Sequence, residues 1–526
     1  MKIFTNAEFI SCEDDSKTFS VLAAHKGKIV YTGDELPKHN GRTRLVDLGG
    51  ATVVPIFGDT HIHFESYSFF LSNIDVRDSI DFNDMGTILR DYAKNNPEIK
   101  TLIAFGCSEY NLAEKRLPYK TDLDKMTDKP LLMTRYDGHT AVANTAFTSE
   151  LPPDVTNDEG YDEDTGSLSG TAFYKAIKYA TSSVSLLKIV SGMELAANTL
   201  AKSGIGYIHA VSGVGFENDI DVDALRIVRY GLPQCIQIFF QTLDIDKVTR
   251  RKMSRVGGCF ELALDGCFDA KDAAVSGGYA DEPENKGVLF YTQQQINDFC
   301  IKANRLGLQI SLHATGDLAV EQVLTAYEAA LADHPRKDHR HTIIHAELMP
   351  PSLIERAAAL EVAVALQPIF LRCKEEPHEY LEQILGKRIN EQMPMRDLID
   401  AGLLLSAGSD APCVLPNPIE SIHNCCNHPN PAQSVTPLEA LKMHTSWGAK
   451  MCFDEKERGS LTIGKTADFV VLSKNPLKVP ADSLNEIKVT DTYFKGKRFN
   501  ASRKPSLFKL AVRIVTNKLF KNRSVV

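Results

Sequence analysis

Residues 308–348, LQISLHATGDLAVEQVLTAYEAALADHPRKDHRHTIIHAEL, contain an apolar run, a helical run and a second apolar run in turn. The first apolar run, LQISL, is followed by His313, and the second, HTII, is followed by His345. Short apolar runs predict buried strands, and the longer stretch 318–334 between them predicts a helix. A strand, a helix and another strand form one unit of a parallel sheet. The stretch therefore predicts an α/β fold with a histidine at the end of each strand.

Strand candidates of the same kind recur through the middle of the chain. They are TLIAFGCS (101–108), LLMTRYDGH (131–139), GIGYIHAVS (204–212), CIQIFFQT (235–242), CFELALDG (259–266), VAVALQPI (362–369) and LLLSAGSD (403–410). Roughly eight such repeats favour a TIM-like (β/α)8 barrel, with an open doubly wound sheet as the competing architecture. Several of these strands end in His, Asp or Glu, and barrel enzymes place their chemistry at those ends, so we predict the barrel.

The two ends of the chain differ from the middle. Residues 1–55 and 456–499 contain short strand patterns separated by turns, so both ends are predicted to form one small β-sandwich domain. Residues 56–455 would form the metal-dependent barrel, with a helical and loop insertion around 65–200 that could cover its mouth.

The segment 500–526 is a separate tail with seven basic residues and no acidic ones. Its pattern predicts a basic amphipathic helix that docks on its own domain, contacts a membrane surface peripherally, or joins subunits of a homo-oligomer.

Composition narrows the class of protein. The 526 residues are 43% hydrophobic and 24% charged, as in folded soluble proteins, and the net charge of −9 argues against a nucleic-acid partner. The 11 cysteines form no CxxC pair, which is typical of reduced thiols in a cytoplasmic protein. Neither a signal peptide nor an apolar segment of 18 residues is found, so no transmembrane segment is expected.

Residues 58–64, GDTHIHF, introduce the chemistry. Alternate residues of a strand face the same side, so His61 and His63 would both point into the barrel and could bind one metal ion. An HxH pair alone does not identify a metal site. His313, His345 and Asp410 follow three later strands, however, and four strand ends carrying such residues together predict a metal centre.

Several stretches together resemble the amidohydrolase superfamily and, more narrowly, amidohydrolase family 3, which includes N-substituted formamide deformylase. They are DLGGATVVPIFGDTHIH (47–63), RYDGHTAVANTAF (135–147), GGYADEPENKGVLFYT (277–292), SLHATGDLAVEQVLTAYE (311–328), HTIIHAELMPPSLIERAAAL (341–360), AGSDAP (407–412) and LTIGKTADFVVLSKNP (461–476). The resemblance implies two divalent metals per chain, usually zinc. It also implies that His61, His63 and Asp410 bind the first metal, and His313 and His345 the second.

The bridging ligand departs from the family pattern. In that family a carboxylated lysine, four residues before an Asp-Gly pair, commonly joins the two ions. The corresponding pair here is Asp265-Gly266, and Glu261 stands at the lysine position. We expect Glu261 to bridge through its own carboxylate. A one-metal site and a protein without activity are the alternatives.

The resemblance implies hydrolysis of an amide or other non-peptide C–N bond of a small molecule by a metal-activated hydroxide. Asp410, at the last strand end, would be the general base. His139 would donate a hydrogen bond to the developing oxyanion, and Tyr279, on a loop over the barrel mouth, would contact the substrate. A mononuclear deaminase of a ring amidine and a non-catalytic, metabolite-binding regulatory barrel are the competing functions. The sequence does not name the substrate.

Overall fold

The computed structural model describes residues 1–13, 17–39, 41–182, 184–214, 216–500 and 505–521. Within these residues the strands are β1 (Lys2–Ile10), β2 (Thr18–Phe19), β3 (Val21–His25), β4 (Lys28–Gly33), β5 (Arg44–Pro55), β6 (Phe57–Ile62), β7 (Ile74–Asp75), β8 (Leu102–Cys107), β9 (Leu131–Arg135), β10 (Thr140–Ala143), β11 (Tyr161–Asp162), β12 (Ser167–Ser169), β13 (Ile205–Ser212), β14 (Cys235–Phe240), β15 (Arg255–Ala263), β16 (Gln309–Ala314), β17 (Thr342–His345), β18 (Ala363–Leu366), β19 (Leu404–Ala407), β20 (Phe469–Leu472), β21 (Val489–Phe494) and β22 (Lys497–Arg498).

The α-helices of the same residues connect and cover these strands. They are α1 (Phe64–Phe70), α2 (Phe82–Asn95), α3 (Lys120–Met126), α4 (Thr145–Thr148), α5 (Pro153–Thr156), α6 (Gly170–Thr181), α7 (Leu186–Lys202), α8 (Ile220–Val228), α9 (Ile245–Arg250), α10 (Gln293–Arg305), α11 (Asp317–Asp333), α12 (Pro351–Ala359), α13 (His378–Leu385), α14 (Met395–Asp400), α15 (Pro418–Cys426), α16 (Pro437–Met443), α17 (Ser446–Met451) and α18 (Leu507–Lys521).

The central sheet is a nearly closed barrel of eight parallel strands in the order β6-β13-β14-β15-β16-β17-β18-β19. Strands β13, β16, β17 and β18 are buried along their whole length, as expected for parallel strands covered on both faces. Helix α11 packs its Val320, Val323 and Leu324 against this barrel core. The predicted (β/α)8 barrel is confirmed.

The two ends of the chain meet in one eight-stranded sheet in the order β22-β21-β20-β5-β1-β3-β4, with β2 paired to β1. Parallel pairing of β1 with β5 and antiparallel pairing of β5 with β20 join residues that are far apart in the chain. Phe4, Phe9, Phe469 and Tyr493 share an apolar core on this sheet. Strand β5 ends at Pro55 and the first barrel strand begins at Phe57, so the sheet leads directly into the barrel.

The insertion between the first and second barrel strands contains a six-stranded sheet, in the order β11-β12-β10-β9-β8-β7. The expectation of a helical and loop insertion is corrected here. Two strand candidates that we assigned to the barrel, TLIAFGCS and LLMTRYDGH, are β8 and β9 of this second sheet. The two form a parallel pair and are fully buried, so their apolar pattern is the same as that of barrel strands.

The C-terminal helix α18 docks on the barrel's outer helices. Leu510 is buried there, and the Arg513 Nη2 atom lies 2.6 Å from Oε1 of the buried Glu194. Phe508, Val512 and Val515 remain exposed on its outer face. Peripheral membrane contact and subunit contact by this tail stay predictions, and residues 501–504 and 522–526 lie outside the described part.

No single helix in the described residues is long and apolar enough to cross a membrane. Helices α6 and α7 reach that length only as a pair, across a bend of 104°.

Candidate metal centre

Six buried side chains from five strand ends converge at one end of the barrel. Strand β6 and the residue after it supply His61 and His63, β15 supplies Cys259, β16 supplies His313, β17 supplies His345, and the turn after β19 supplies Asp410. They form two groups, within each of which the potential ligand atoms lie within 4.8 Å of one another. The groups are His61, His63, Cys259 and Asp410, and Cys259, His313 and His345. Cys259 belongs to both.

The closure of the barrel positions the first group. The backbone N–H of Asp410 donates to the His61 carbonyl at 2.8 Å, and the N–H of His63 donates to the Ala411 carbonyl at 2.9 Å. Beneath this seam, Asp59 Oδ1 accepts the N–H of Ser409 at 2.9 Å. The histidine pair and the aspartate are therefore held together by backbone hydrogen bonds, independently of their side chains.

The side chains of the first group converge on a shared point. Asp410 Oδ1 lies 2.9 Å from His61 Nε2 and 3.2 Å from His63 Nε2. Although this oxygen is buried, it has no hydrogen-bond partner of acceptable geometry in the described residues. Cys259 Sγ lies 3.5 Å from His61 Nε2. The close approach of Asp410 Oδ1 to two imidazole nitrogens without hydrogen-bond alignment is the arrangement expected of groups that face a common cation.

The second group is oriented by a network behind it. His313 Nε2 lies 3.2 Å from the Gly266 carbonyl and 3.5 Å from Asp265 Oδ1. Asp265 in turn accepts the backbone N–H groups of Ala274, Thr315 and Gly316, at distances from 2.8 to 2.9 Å. Among the described residues, the buried Nδ1 of His313 has no hydrogen-bond partner, so it can bind a metal. Asp265 thus plays the supporting role that metal-binding histidines usually require.

The donor set fits a divalent ion such as zinc. Imidazole nitrogens, a thiolate and a carboxylate are its usual protein ligands. The second group adds His345, whose Nε2 lies 3.9 Å from Cys259 Sγ. Burying so many polar atoms without partners would be costly unless a cation binds them.

The protonation of the centre agrees with this interpretation. Burial by itself lowers the pKa of His61, but Cys259 and Asp410 outweigh burial and raise it to about 10. Burial raises the pKa of Cys259, yet the neighbouring His61 and His313 hold it well below its ordinary value. Burial also raises the pKa of Asp410, and His61 and His63 reverse the effect. A thiolate and a carboxylate are therefore ready to bind a cation that replaces the imidazole protons.

Left-handed backbone conformations cluster at the centre. The φ angles of Asp410, His345 and Phe260 are 58°, 72° and 55°, which are unfavourable for residues other than glycine. Strain of this kind is retained mainly where it serves a site, because the surrounding structure must compensate for it.

The structure does not bring Glu261 into the centre, and the predicted bridge is corrected. Its side chain is exposed on the outside of β15, where Oε2 accepts the backbone N–H of Leu243 at 3.3 Å. Strand β15 bulges after Gly258, so pairing with β16 resumes only at Ala263. The bulge places Cys259 at the shared position instead.

Sequence reasoning missed Cys259. If side chains alternated regularly along β15, Cys259 and Glu261 would face the same side of the strand, so alternation gives no reason to prefer Cys259 to Glu261 as the ligand. The available signal was the preceding pair Gly257-Gly258. A Cβ on Gly257 would lie 2.1 Å from the Ser311 carbonyl oxygen, and the φ angles of the pair are 150° and 135°. Such glycines often mark a bulge or a close approach of two backbones.

A cavity of about 1150 Å³, with its open mouth included, lies above the centre. His139 lines it, with Nδ1 3.8 Å from Asp137 Oδ2 and its ring near Phe260. Tyr279 does not line it, so the predicted substrate contact is corrected. That tyrosine is buried in a separate apolar cluster, and its hydroxyl donates to the Ala273 carbonyl at 2.9 Å.

Known proteins match most of the length of the chain. The model of the amidohydrolase family matches residues 44–499. The Bacillus subtilis (strain 168) protein named amidohydrolase YtcJ is 26% identical over 94% of this chain and 99% of its own. N-substituted formamide deformylase of Arthrobacter pascens is 22% identical over 89% of this chain and 93% of its own.

Among solved structures, an uncharacterized metal-dependent hydrolase from Pyrococcus horikoshii OT3 matches with a TM-score of 0.77 and 23% identity, over 91% of this chain and 99% of that one. All six clustered side chains lie within the residues that the family model matches.

Proposed function

The chain belongs to the amidohydrolase family and is a metal-dependent hydrolase of C–N bonds other than peptide bonds, and from this premise we propose that it cleaves an amide of a small molecule at a centre of two divalent ions, normally zinc. The observation that carries the proposal is the pair of ligand groups that share Cys259. A shared ligand holds two ions close together, as hydrolytic two-metal sites require.

Bound ions of this kind lower the pKa of water and polarise a carbonyl group. Asp410 is then the group that moves the proton. Its Oδ1 faces the two histidines, and its carboxylate also lines the cavity, which leaves Oδ2 to take a proton from water. Oδ2 would pass that proton to the leaving nitrogen as the C–N bond breaks.

His139 is proposed to stabilise the oxyanion. It lies in the cavity wall on the turn between β9 and β10, and Asp137 Oδ2 is close to its Nδ1. A ring N–H of His139 that faces the cavity would donate a hydrogen bond to a carbonyl oxygen as negative charge develops on it.

The first experiment is a hydrolysis assay on zinc-loaded protein with a panel of N-alkyl and N-aryl formamides and acetamides. Mass spectrometry should detect the free amine and the acid, with loss of turnover after chelation and in Asp410→Asn. Free ammonia from ring amidines, with no amide cleaved, would instead establish a deaminase. Retained metal with no turnover of either class would overturn the proposal in favour of a regulatory barrel.

We also propose a cytoplasmic location. None of the 11 cysteines, all of which lie in the described residues, forms a disulfide, and the thiols that line the active-site cavity would be exposed to oxidants outside a reducing compartment.

A further inference from the structure

The charge of the cavity wall is strongly one-sided. Among the described residues, the wall contains no lysine and no arginine, but it has carboxyl groups on several loops. They are Asp137, Asp269, Glu347, Glu376 and Asp410. The rest of the wall is largely aromatic and aliphatic, including Phe70, Phe173, Tyr174, Ile177, Phe260, Phe268 and Phe370. An apolar substrate therefore fits the wall. Away from the metal centre, any charge that it carries meets carboxyl groups and the imidazole of His139.

Two of these carboxyl groups share one arginine that lies behind the wall. Arg135 is buried, and its Nη1 lies 2.9 Å from Asp137 Oδ2 and 2.5 Å from Asp269 Oδ2. Glu109 is a third partner of the same guanidinium, at 2.8 Å. Asp269 also accepts the hydroxyl of Tyr136 at 3.0 Å. Arg135 is thus fully engaged and offers no free cation to an anionic substrate.

The carboxyl groups of Glu347 and Asp410 also have partners. Asp410 belongs to the first ligand group. Glu347 Oε2 accepts the side-chain N–H of Gln392 at 2.7 Å, beside the second ligand group. Only Glu376 is left among the five carboxyl groups of the wall.

Glu376 lies on the loop after the seventh barrel strand, β18, and borders the cavity. Within the described part of the chain, no side chain makes an ion pair or a hydrogen bond with its carboxyl group, and its ionised form is favoured only by the more distant charge of Arg135 and by the Asp269 backbone N–H. Burial, with the charges of Asp269 and Glu347, raises its pKa well above the ordinary range. An ammonium group in the cavity would oppose these effects and donate a charge-assisted hydrogen bond to the Glu376 carboxylate.

We propose that the substrate is an apolar, aromatic-sized amide that also carries an ammonium group, that Glu376 binds this group, and that amides bearing a free carboxylate are excluded. The inference rests on the proposed function, because it concerns the substrate of the same centre. Exclusion follows because a carboxylate would enter a wall of carboxyl groups with no lysine or arginine to pair with it.

The test uses three para-substituted N-benzylformamides that differ in one group: aminomethyl, ethyl and carboxymethyl. We expect the aminomethyl compound to have the highest kcat/KM, and the carboxymethyl compound to show no turnover. Glu376→Gln should lower kcat/KM for the aminomethyl compound by about 10- to 100-fold, and change that of the ethyl compound by less than about 3-fold. Glu375→Gln is the matched control, because Glu375 is buried beside Glu376 but does not line the cavity.

Calorimetric binding of the same three formamides to zinc-loaded protein separates this inference from the proposed function. If no amide is cleaved but the aminomethyl compound binds more tightly than the ethyl compound, and Glu376→Gln removes the difference, the proposed function fails while the binding of an ammonium group by Glu376 stands. Equal handling of the aminomethyl and ethyl compounds, a preference unchanged in Glu376→Gln, or ready hydrolysis of the carboxymethyl compound would overturn the inference.

Discussion

Substitution of Cys259 by alanine should weaken both metal positions at once. Cys259 is one of four potential ligands in the first group and one of three in the second. Four-ligand zinc sites bind with about 10–16 kcal/mol, so each ligand contributes about 3 kcal/mol, or about 100-fold in affinity. His345→Asn removes a ligand from the second group alone. We therefore expect Cys259→Ala to lose both ions to a mild chelator, and His345→Asn to lose one.

The assay is metal content per chain by elemental mass spectrometry after dialysis, with circular dichroism to show that each variant is folded. Cys413→Ser is the matched thiol control, because Cys413 lines the cavity but belongs to neither ligand group. Glu261→Gln should keep the wild-type content, since the Glu261 side chain is exposed. If Glu261→Gln loses metal while Cys259→Ala retains it, the assignment of Cys259 as the shared ligand is wrong.

Three further predictions concern the support of the centre and the stability of the fold. Asp265→Asn should reduce metal affinity by about 10- to 100-fold, because Asp265 orients His313. Competition with a chromophoric chelator measures the affinity, and an unchanged value would contradict this role. Three buried histidines should each oppose folding of the metal-free protein by about 2 kcal/mol at pH 5, because burial lowers their pKa below the value of about 6.5 in the unfolded chain, and unfolding then takes up protons. They are His209, with a pKa lowered to about 3, and His428 and His444, each lowered to about 4. Buried carboxyl groups of raised pKa, such as Glu376, act in the opposite direction, so the test compares urea unfolding of wild type and His428→Asn at pH 7 and pH 5, and the same change with pH in both proteins would refute the argument. Arg513→Ala should lower the free energy of unfolding in urea by about 3 kcal/mol, because it leaves the Glu194 carboxylate buried without its cation. Arg498→Ala removes an exposed ion pair and should lower the free energy of unfolding by less than about 1 kcal/mol.

The barrel was predictable because each of its strands can be recognised from a few consecutive residues. Each is an apolar run with a polar side chain at its end, and that pattern is visible without any knowledge of contacts. The strands of the six-stranded sheet in the insertion could not be distinguished from barrel strands in this way. Strands β8 and β9 are parallel and buried on both faces, so the strands themselves resemble barrel strands. Which sheet a strand joins depends on packing over long distances, which a local pattern does not contain.

Much of the metal centre was predictable for the same reason. His61, His63, His313, His345 and Asp410 were expected to come together, and the structure places them within the two ligand groups. The residue that both ligand groups share, Cys259, was not predicted, because a bulge after Gly258 changes which residue of β15 faces inward. Tyr279 was misplaced because the pattern of a loop does not show where the loop packs.

The seam between β6 and β19 also bears on how the protein acquires its metal. The hydrogen bond between Ser409 and Asp59 joins residues 350 positions apart, and the other seam bonds are similarly distant. Contacts of such separation form late, because a long loop must close first. On the ribosome, His61 and His63 emerge well before Asp410 is synthesised. A complete first ligand group can therefore exist only after most of the chain has been made, so the first metal position can be filled only at a late stage of folding.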